Sequence, residues 1–317
     1  MSTQPLVRIG ARGSKLSLAQ AGHVQRQIAA ALGAAPQDAG RVAPLIAITT
    51  TGDRVQDRRL LEIGGKALFT KEIEDALLSG RIDCAIHSMK DVPAEQPDGL
   101  CIAAVPQRED PRDAFLSPTC ARLEDLPPGA VLGTASLRRQ AQCLHRRPDL
   151  KIALLRGNVD TRLAKLQRGE ADAMLLALAG LKRLGLGHLP QSLIDPVEAP
   201  PAPGQGALAV QTRLGDIGAA WLEPLRHAES GLAVAAERGA LTALEGSCRT
   251  AIGAHARVAG GVLSLIVEAL TPDGAQRFRR EGVVAVGDGD EAPARALGFA
   301  LGRAIADEAG DALLLPA

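Results

Sequence analysis

Lys90 and Asp91 are the pair in this chain whose types and placement best suit chemistry. They follow Cys84-Ala-Ile-His87, which reads as a short buried strand, and precede Pro93, which lets neither strand nor helix continue. In an open α/β sheet the ends of such strands face the ligand crevice. A cation beside a carboxylate is thus delivered to the place where chemistry happens. Taken alone, the two residues fit a surface ion pair better. The rest of the chain changes that weighting.

The turns after the other predicted strands carry cations and hydroxyls. Arg12 stands with Ser14, and Thr134 with Ser136, Arg138 and Arg139. Arg156 precedes Gly157-Asn158, with Arg162 one turn further on. Three of these turns start helices, whose free N–H groups favour anions. The guanidinium fork grips two oxygens at once, and the chain has 29 Arg against 7 Lys. Scattered solvated arginines would not respect strand ends, so the pattern favours a polyanion site over chance in an Arg-rich chain.

Specific phosphate motifs fail. Gly64-Gly-Lys-Ala67 lacks the first Gly and the Ser/Thr of a P-loop, and Gly185-Leu-Gly-His-Leu-Pro190 has no third Gly. Several carboxylates on one ligand suit the dispersed arginines better. The six His show no metal-ligand spacing, and no G-x-S-x-G elbow offers a serine nucleophile. His87 reads as a hydrogen-bonded structural residue. Cys248 lies in a helix-to-strand loop beside Arg249, which favours thiolate; on that evidence alone an idle thiol is the simpler reading.

These residues require a set of positioning elements. Leu6 to Ile9 reads as a first strand, with Ser17 capping a helix to about Leu32. Leu45 to Thr49 is a second strand, and a helix including Phe69, Ile73 and Leu77 leads to the Cys84 strand. This βαβαβ order predicts a parallel sheet with helices on both faces. Gln107 to Pro111 reads as a hinge. A second α/β series follows: strands at Val131-Leu132, Ile152 to Leu155 and Ala173 to Leu176, helices at Leu137 to His145 and Val159 to Arg168. Five prolines between Pro190 and Pro203 mark a linker. Ala207 to Gln211 is then a strand that could return to the first domain. Beyond about Ala228, a helix, three antiparallel strands and a closing helix make a small α+β domain. The expected divisions are 1–106 with 204–226, then 107–203, then 227–317.

Composition bounds the function. Apolar residues are 46% of 317, enough for sizeable cores, and 36 acidic residues balance 36 basic ones. With no basic field and 2% aromatics, nucleic-acid binding is not expected. Five cysteines without a C-x-x-C pair argue for a reducing compartment. No export signal is read at the N-terminus, and the longest apolar run, Ala173 to Leu181, is too short for a membrane span. The expectation is a soluble cytoplasmic protein.

Several segments resemble the porphobilinogen deaminase (hydroxymethylbilane synthase) family. They are Gly64-Gly-Lys-Ala-Leu-Phe69, His87-Ser-Met-Lys-Asp-Val-Pro93, Arg108-Glu-Asp-Pro-Arg-Asp-Ala114, Gly133-Thr-Ala-Ser-Leu-Arg-Arg-Gln140, Leu155-Arg-Gly-Asn-Val-Asp-Thr-Arg162, Ala179-Gly-Leu-Lys-Arg-Leu-Gly185 and Pro203-Gly-Gln-Gly-Ala207. They follow the family order from Leu6 to Leu270. The resemblance implies an α/β fold of two doubly wound lobes like a type II periplasmic binding protein, plus a small α+β third domain. It implies a transferase that joins porphobilinogen units into linear hydroxymethylbilane, releasing ammonia, in tetrapyrrole (heme) biosynthesis. It also implies a dipyrromethane cofactor, bound as a thioether to Cys248. Around Cys248 this chain has Ser247, Arg249, Thr250 and Ala251 where the family often has Gly, Gln, Val and Pro.

By the same resemblance Asp91 is the catalytic aspartate, with Lys90 beside it. Arg12, Ser14, Lys66, Phe69, Thr134, Ser136, Arg138, Arg139, Arg156, Arg162, Arg183 and Gln205 contact cofactor or substrate. Loss of ammonia leaves a cationic azafulvene, which Asp91 would steady, while arginines hold the acetate and propionate arms. The resemblance also implies porphobilinogen as the substrate and a monomeric protein, with the 107–111 hinge making room for the growing chain. Two other readings are a non-catalytic anion-binding protein on the same scaffold and a thiol-dependent enzyme using Cys248.

Overall fold

The computed structural model describes residues 6–54, 69–244, 250–287 and 289–313. One compact unit holds the described residues up to 109 together with Ala207–Gly231; a second holds Asp110–Gly206 and the described residues from Leu232 on.

The first unit is built on β1 (Ile9–Arg12), β2 (Leu45–Ile48), β3 (Cys84–Ser88), β4 (Leu100–Ala104) and a returning strand, Leu208–Arg213. Helix α1 (Lys15–Ala31) buries Ala21, Val24 and Ile28 at helical spacing, and α2 (Lys71–Leu78) buries Ile73, Ala76 and Leu77. Val7, Ile9, Val24, Ile28, Ile86 and Val210 share one core. β1 pairs in parallel with β2 and with β3, as the βαβαβ pattern predicts. The returning strand inserts antiparallel between β3 and β4, so the five-stranded sheet is not purely parallel.

Two local expectations are corrected. Ser14, not Ser17, caps α1: Ser14 has extended backbone, and its Oγ accepts the Ser17 N–H at 3.2 Å. Ser17 is therefore the donor, one turn inside the helix. Phe69 precedes α2 rather than lying in it, because Thr70, with φ −120° and ψ −29°, is the cap.

The second unit repeats the sheet pattern with β5 (Asp113–Leu116), β6 (Val131–Gly133), β7 (Lys151–Ala153), β8 (Ala173–Ala177) and β9 (Ser192–Leu193). The returning strand of the first unit is accordingly β10. Helices α3 (Leu137–Arg146), α4 (Val159–Gln167) and α5 (Leu178–Arg183) accompany this sheet. Strand orders are β2-β1-β3-β10-β4 in one sheet and β7-β6-β8-β5-β9 in the other. In each sheet, the strand that has just crossed from the other unit lies fourth, antiparallel to its neighbours. Each sheet is thus one doubly wound lobe. Strands β4, β5 and β9 escaped the sequence reading. β5 opens on a charged residue, Asp113, which no hydrophobic pattern would bury.

The third domain, in the same unit, has α6 (Ala228–Ala243, with its first turn in the other unit), the antiparallel sheet β11 (Ala251–Ala259), β12 (Val262–Leu270) and β13 (Arg277–Ala285), and α7 (Ala292–Ala309). Gly298 and Gly302 of α7 lie against the α6 backbone: a Cβ at either would run into the carbonyl of Ala236 or Ala240. Leu263, Leu265 and Val267 of β12 share a core with Ala236, Ala240 and Ile305.

Candidate active site

The β1 and β3 strands end side by side. Arg12 closes β1 and Ser14 caps the helix after it. β3 runs into a single 3₁₀ turn, Met89–Asp91, closed by Val92 N–H donating to Met89 O at 3.1 Å. Met89 is buried and plugs the turn, its N–H donating to Ala207 O at 3.0 Å, whereas Lys90 and Asp91 face solvent. Gln20 of α1 donates to Ser88 Oγ at 3.0 Å, tying the helix to the end of β3. The Arg12 guanidinium lies over the Phe69 ring, 4.1 Å from its centroid. That ring in turn rests on Gly52, where a Cβ would collide with it. Arg12, Ser14, Phe69, Lys90 and Asp91 therefore gather at one sheet edge, the carboxyl ends of parallel strands.

His87 sits beneath them, buried, with Nε2 3.1 Å from Gln211 Oε1 on β10. Burial drives its pKa down to about 4; the Gln211 hydrogen bond and the Asp91 charge oppose this, and the Arg12 charge adds to it. His87 is thus a neutral structural residue, as the sequence suggests, and it feels both Arg12 and Asp91.

The second unit makes a like edge from β6 and β7, with Gly133 beside Ala153 and Thr134 N–H bonded to Ala153 O at 2.9 Å. Thr134 Oγ1 accepts the Ser136 N–H at 3.1 Å, and Ser136 Oγ caps α3. After β7 come half-buried Arg156 and Gly157 at φ +119°, then Asn158, whose Oδ1 caps α4 through Thr161 N–H at 2.9 Å. Arg162 Nε donates to Gly157 O at 2.8 Å, and Arg183 Nη2 to Gly206 O at 2.7 Å.

Arg138 and Arg139 are buried, and both turn onto Asp113, at 2.8 Å each. Burial raises the Asp113 pKa, but the charges and hydrogen bonds of the two arginines outweigh it and hold the carboxyl well below the usual range. Gln205 Nε2 joins the same carboxylate at 2.9 Å. Sequence reasoning missed Asp113. Its only signal was its place in the family motif Arg108-Glu-Asp-Pro-Arg-Asp-Ala114, two residues past the 107–111 hinge. Two guanidinium N–H groups of this unit, Arg138 Nε and Arg156 Nη1, are buried with no hydrogen-bond partner among the described residues. Such donors suit an acidic ligand. Lys66 and Cys248 lie outside the described residues. Among the described residues, no group of three or more His, Cys, Asp and Glu could hold a metal ion.

Residues 7–220 match the family model described as "Porphobilinogen deaminase, dipyromethane cofactor binding domain", and residues 231–307 match the C-terminal domain of porphobilinogen deaminase. A porphobilinogen deaminase of Phenylobacterium zucineum is 70% identical over 99% of this chain and 100% of its own length. One of Caulobacter vibrioides is 68% identical over the whole of both chains. Among solved structures, a periplasmic substrate-binding protein of an ABC transporter from Coxiella burnetii is 15% identical over 69% of this chain and 89% of its own, with a TM-score of 0.41, too low to add to what the strand orders show.

Proposed function

Because the chain belongs to the porphobilinogen deaminase family, we propose a division of labour among its residues for that family's reaction. The protein joins porphobilinogen units into the linear tetrapyrrole hydroxymethylbilane, with release of ammonia, and uses a dipyrromethane cofactor. The observation that carries this is the 70% identity along essentially the whole chain, cofactor-binding domain included.

The cofactor, when bound, supplies a primer pyrrole whose free α-carbon joins the incoming unit, so the protein needs no nucleophile of its own. Cys248 is the attachment sulfur in this reading. Arg12, Arg138, Arg139, Arg156, Arg162 and Arg183 bind acetate and propionate arms in this reading. The two partnerless N–H groups, Arg138 Nε and Arg156 Nη1, support this, since a ligand carboxylate at each would supply the missing acceptor. Ser14, Lys66, Phe69, Thr134, Ser136 and Gln205 add contacts of their own to cofactor or substrate in this reading.

Asp91 is the catalytic carboxylate. Positive charge grows on the porphobilinogen methylene as the amine departs, and an aspartate beside it lowers the barrier and can pass a proton to the leaving nitrogen. Lys90, its neighbour, accompanies it in that role. The solvent-facing turn on a buried Met89 plug supports the assignment, because it presents a carboxylate on a rigid strand end.

We also propose domain limits of 1–106 with 204–226, 107–203 and 227–317, a monomeric state, cytoplasmic location and no nucleic-acid partner. No helix among the described residues is long and apolar enough to cross a membrane. Incubation with porphobilinogen tests the whole reading. Hydroxymethylbilane, seen as uroporphyrin after cyclisation and oxidation, is expected; its absence from cofactor-loaded protein would refute it.

A further inference from the structure

We infer that Asp113 is a positioning residue for turnover, the fixed counter-anion that aims the Arg138 and Arg139 guanidiniums. The inference rests on the proposed role of those arginines toward substrate carboxylates.

The geometry is specific. Asp113 is 4% exposed and accepts from three side chains. Arg138 Nη1 reaches Oδ2 at 2.8 Å, Arg139 Nη2 and Nε reach Oδ1 at 2.8 and 3.1 Å, and Gln205 Nε2 reaches Oδ1 at 2.9 Å. Gln205 also donates to Pro111 O at 2.7 Å. One carboxylate thus joins three stretches of chain. These are the segment entering β5, the segment Ala202–Gly206 that leaves this unit, and the first turn of α3.

Electrostatics explains why an anion is needed there. With Ser136 as cap, Arg138 and Arg139 occupy the second and third positions of α3. A helix N-terminus carries partial positive charge, so two buried cations in its first turn oppose the dipole and each other. Asp113 offsets both. The network continues through Arg138 to Gln142 at 2.8 Å and from Gln142 to Glu268 of β12 at 2.9 Å, so it also reaches the third domain. Arg138 keeps its Nε buried and partnerless while Nη1 is committed. The direction of that remaining donor is therefore set by the bond to Asp113.

The test compares wild type, Asp113→Asn and Asp113→Glu as full chains. Folded fraction, dipyrromethane mass by intact mass spectrometry, KM and kcat are measured for each. Wild type that makes no hydroxymethylbilane would sink the reading beneath the inference, and it shows before any variant is made. Given active wild type, Asp113→Asn is expected to raise KM for porphobilinogen about tenfold per folded, loaded molecule, the scale of one charge-assisted hydrogen bond, with a smaller fall in kcat. The charge-retaining Asp113→Glu should recover part of this, leaving KM about threefold above wild type because the longer side chain displaces the carboxylate. A merely structural aspartate would lower the melting temperature and folded yield and leave KM of the folded molecules unchanged; that result overturns the inference. Should Asp113→Asn not fold, Asp113→Glu decides alone: raised KM supports the inference, and wild-type KM overturns it.

Discussion

His87 Nε2 and Gln211 Oε1, 124 residues apart in sequence, lie 3.1 Å apart and pin the strand bearing the Lys90-Asp91 turn to the strand that returns from the second unit. The contact holds a neutral imidazole in a dry place. Its folded pKa of about 4 is below the ordinary 6.5. The unfolded chain therefore binds more protons between those values. Stability present above pH 6.5 should drain away as pH falls toward 4, by roughly 3 kcal/mol from this group. Urea unfolding across that range should show the slope in wild type and a flatter profile in His87→Gln.

Asp91→Asn should fold, keep its dipyrromethane and lose about 10²- to 10⁴-fold in kcat, the range for a lost acid–base or charge-stabilising group. Intact mass and single-turnover assays check the two halves separately. Turnover near wild type would remove Asp91 from the mechanism.

Cys248→Ala should leave the protein lighter by one dipyrromethane beyond the substitution itself, and inactive. A variant retaining that added mass would place the attachment on another residue.

Phe69→Ala removes the ring beneath Arg12. A cation–π contact of about 0.5–1 kcal/mol corresponds to a two- to fivefold rise in KM, with kcat little changed. Unchanged KM would mean that the ring does not position Arg12 for the substrate.

Gly157→Ala forces a side chain into backbone at φ +119°, where its Cβ would meet Thr161 Cγ2 at 2.7 Å. The strain should cost about 1–3 kcal/mol of stability and misplace Arg156. A lower melting temperature with a raised KM is expected.

Much of this was legible locally. The capping hydroxyl of Ser136 and the amide of Asn158 lie within three residues of the donors they satisfy, so turn chemistry alone marks two helix starts, whereas at the first helix the sequence offers both Ser14 and Ser17 and only the backbone shows that Ser14 is the cap. Apolar runs such as Cys84–Ser88 and Ala173–Ala177 declared buried strands because both faces of a mostly parallel sheet are covered. The charged strand ends beside them suggested an anion site, and ordered motifs along the chain carried the family resemblance. Local sequence could not decide what each arginine does. Arg138, Arg139, Arg156 and Arg162 look alike as text. Only the fold brings Asp113 from 25 residues upstream of Arg138, and Gln205 from 92 residues beyond Asp113, into one buried cluster. The same holds for β10, whose place between β3 and β4 depends on pairing partners more than a hundred residues away. Burial of a charge is a property of surroundings, and surroundings are assembled by long-range packing that no short window of sequence contains.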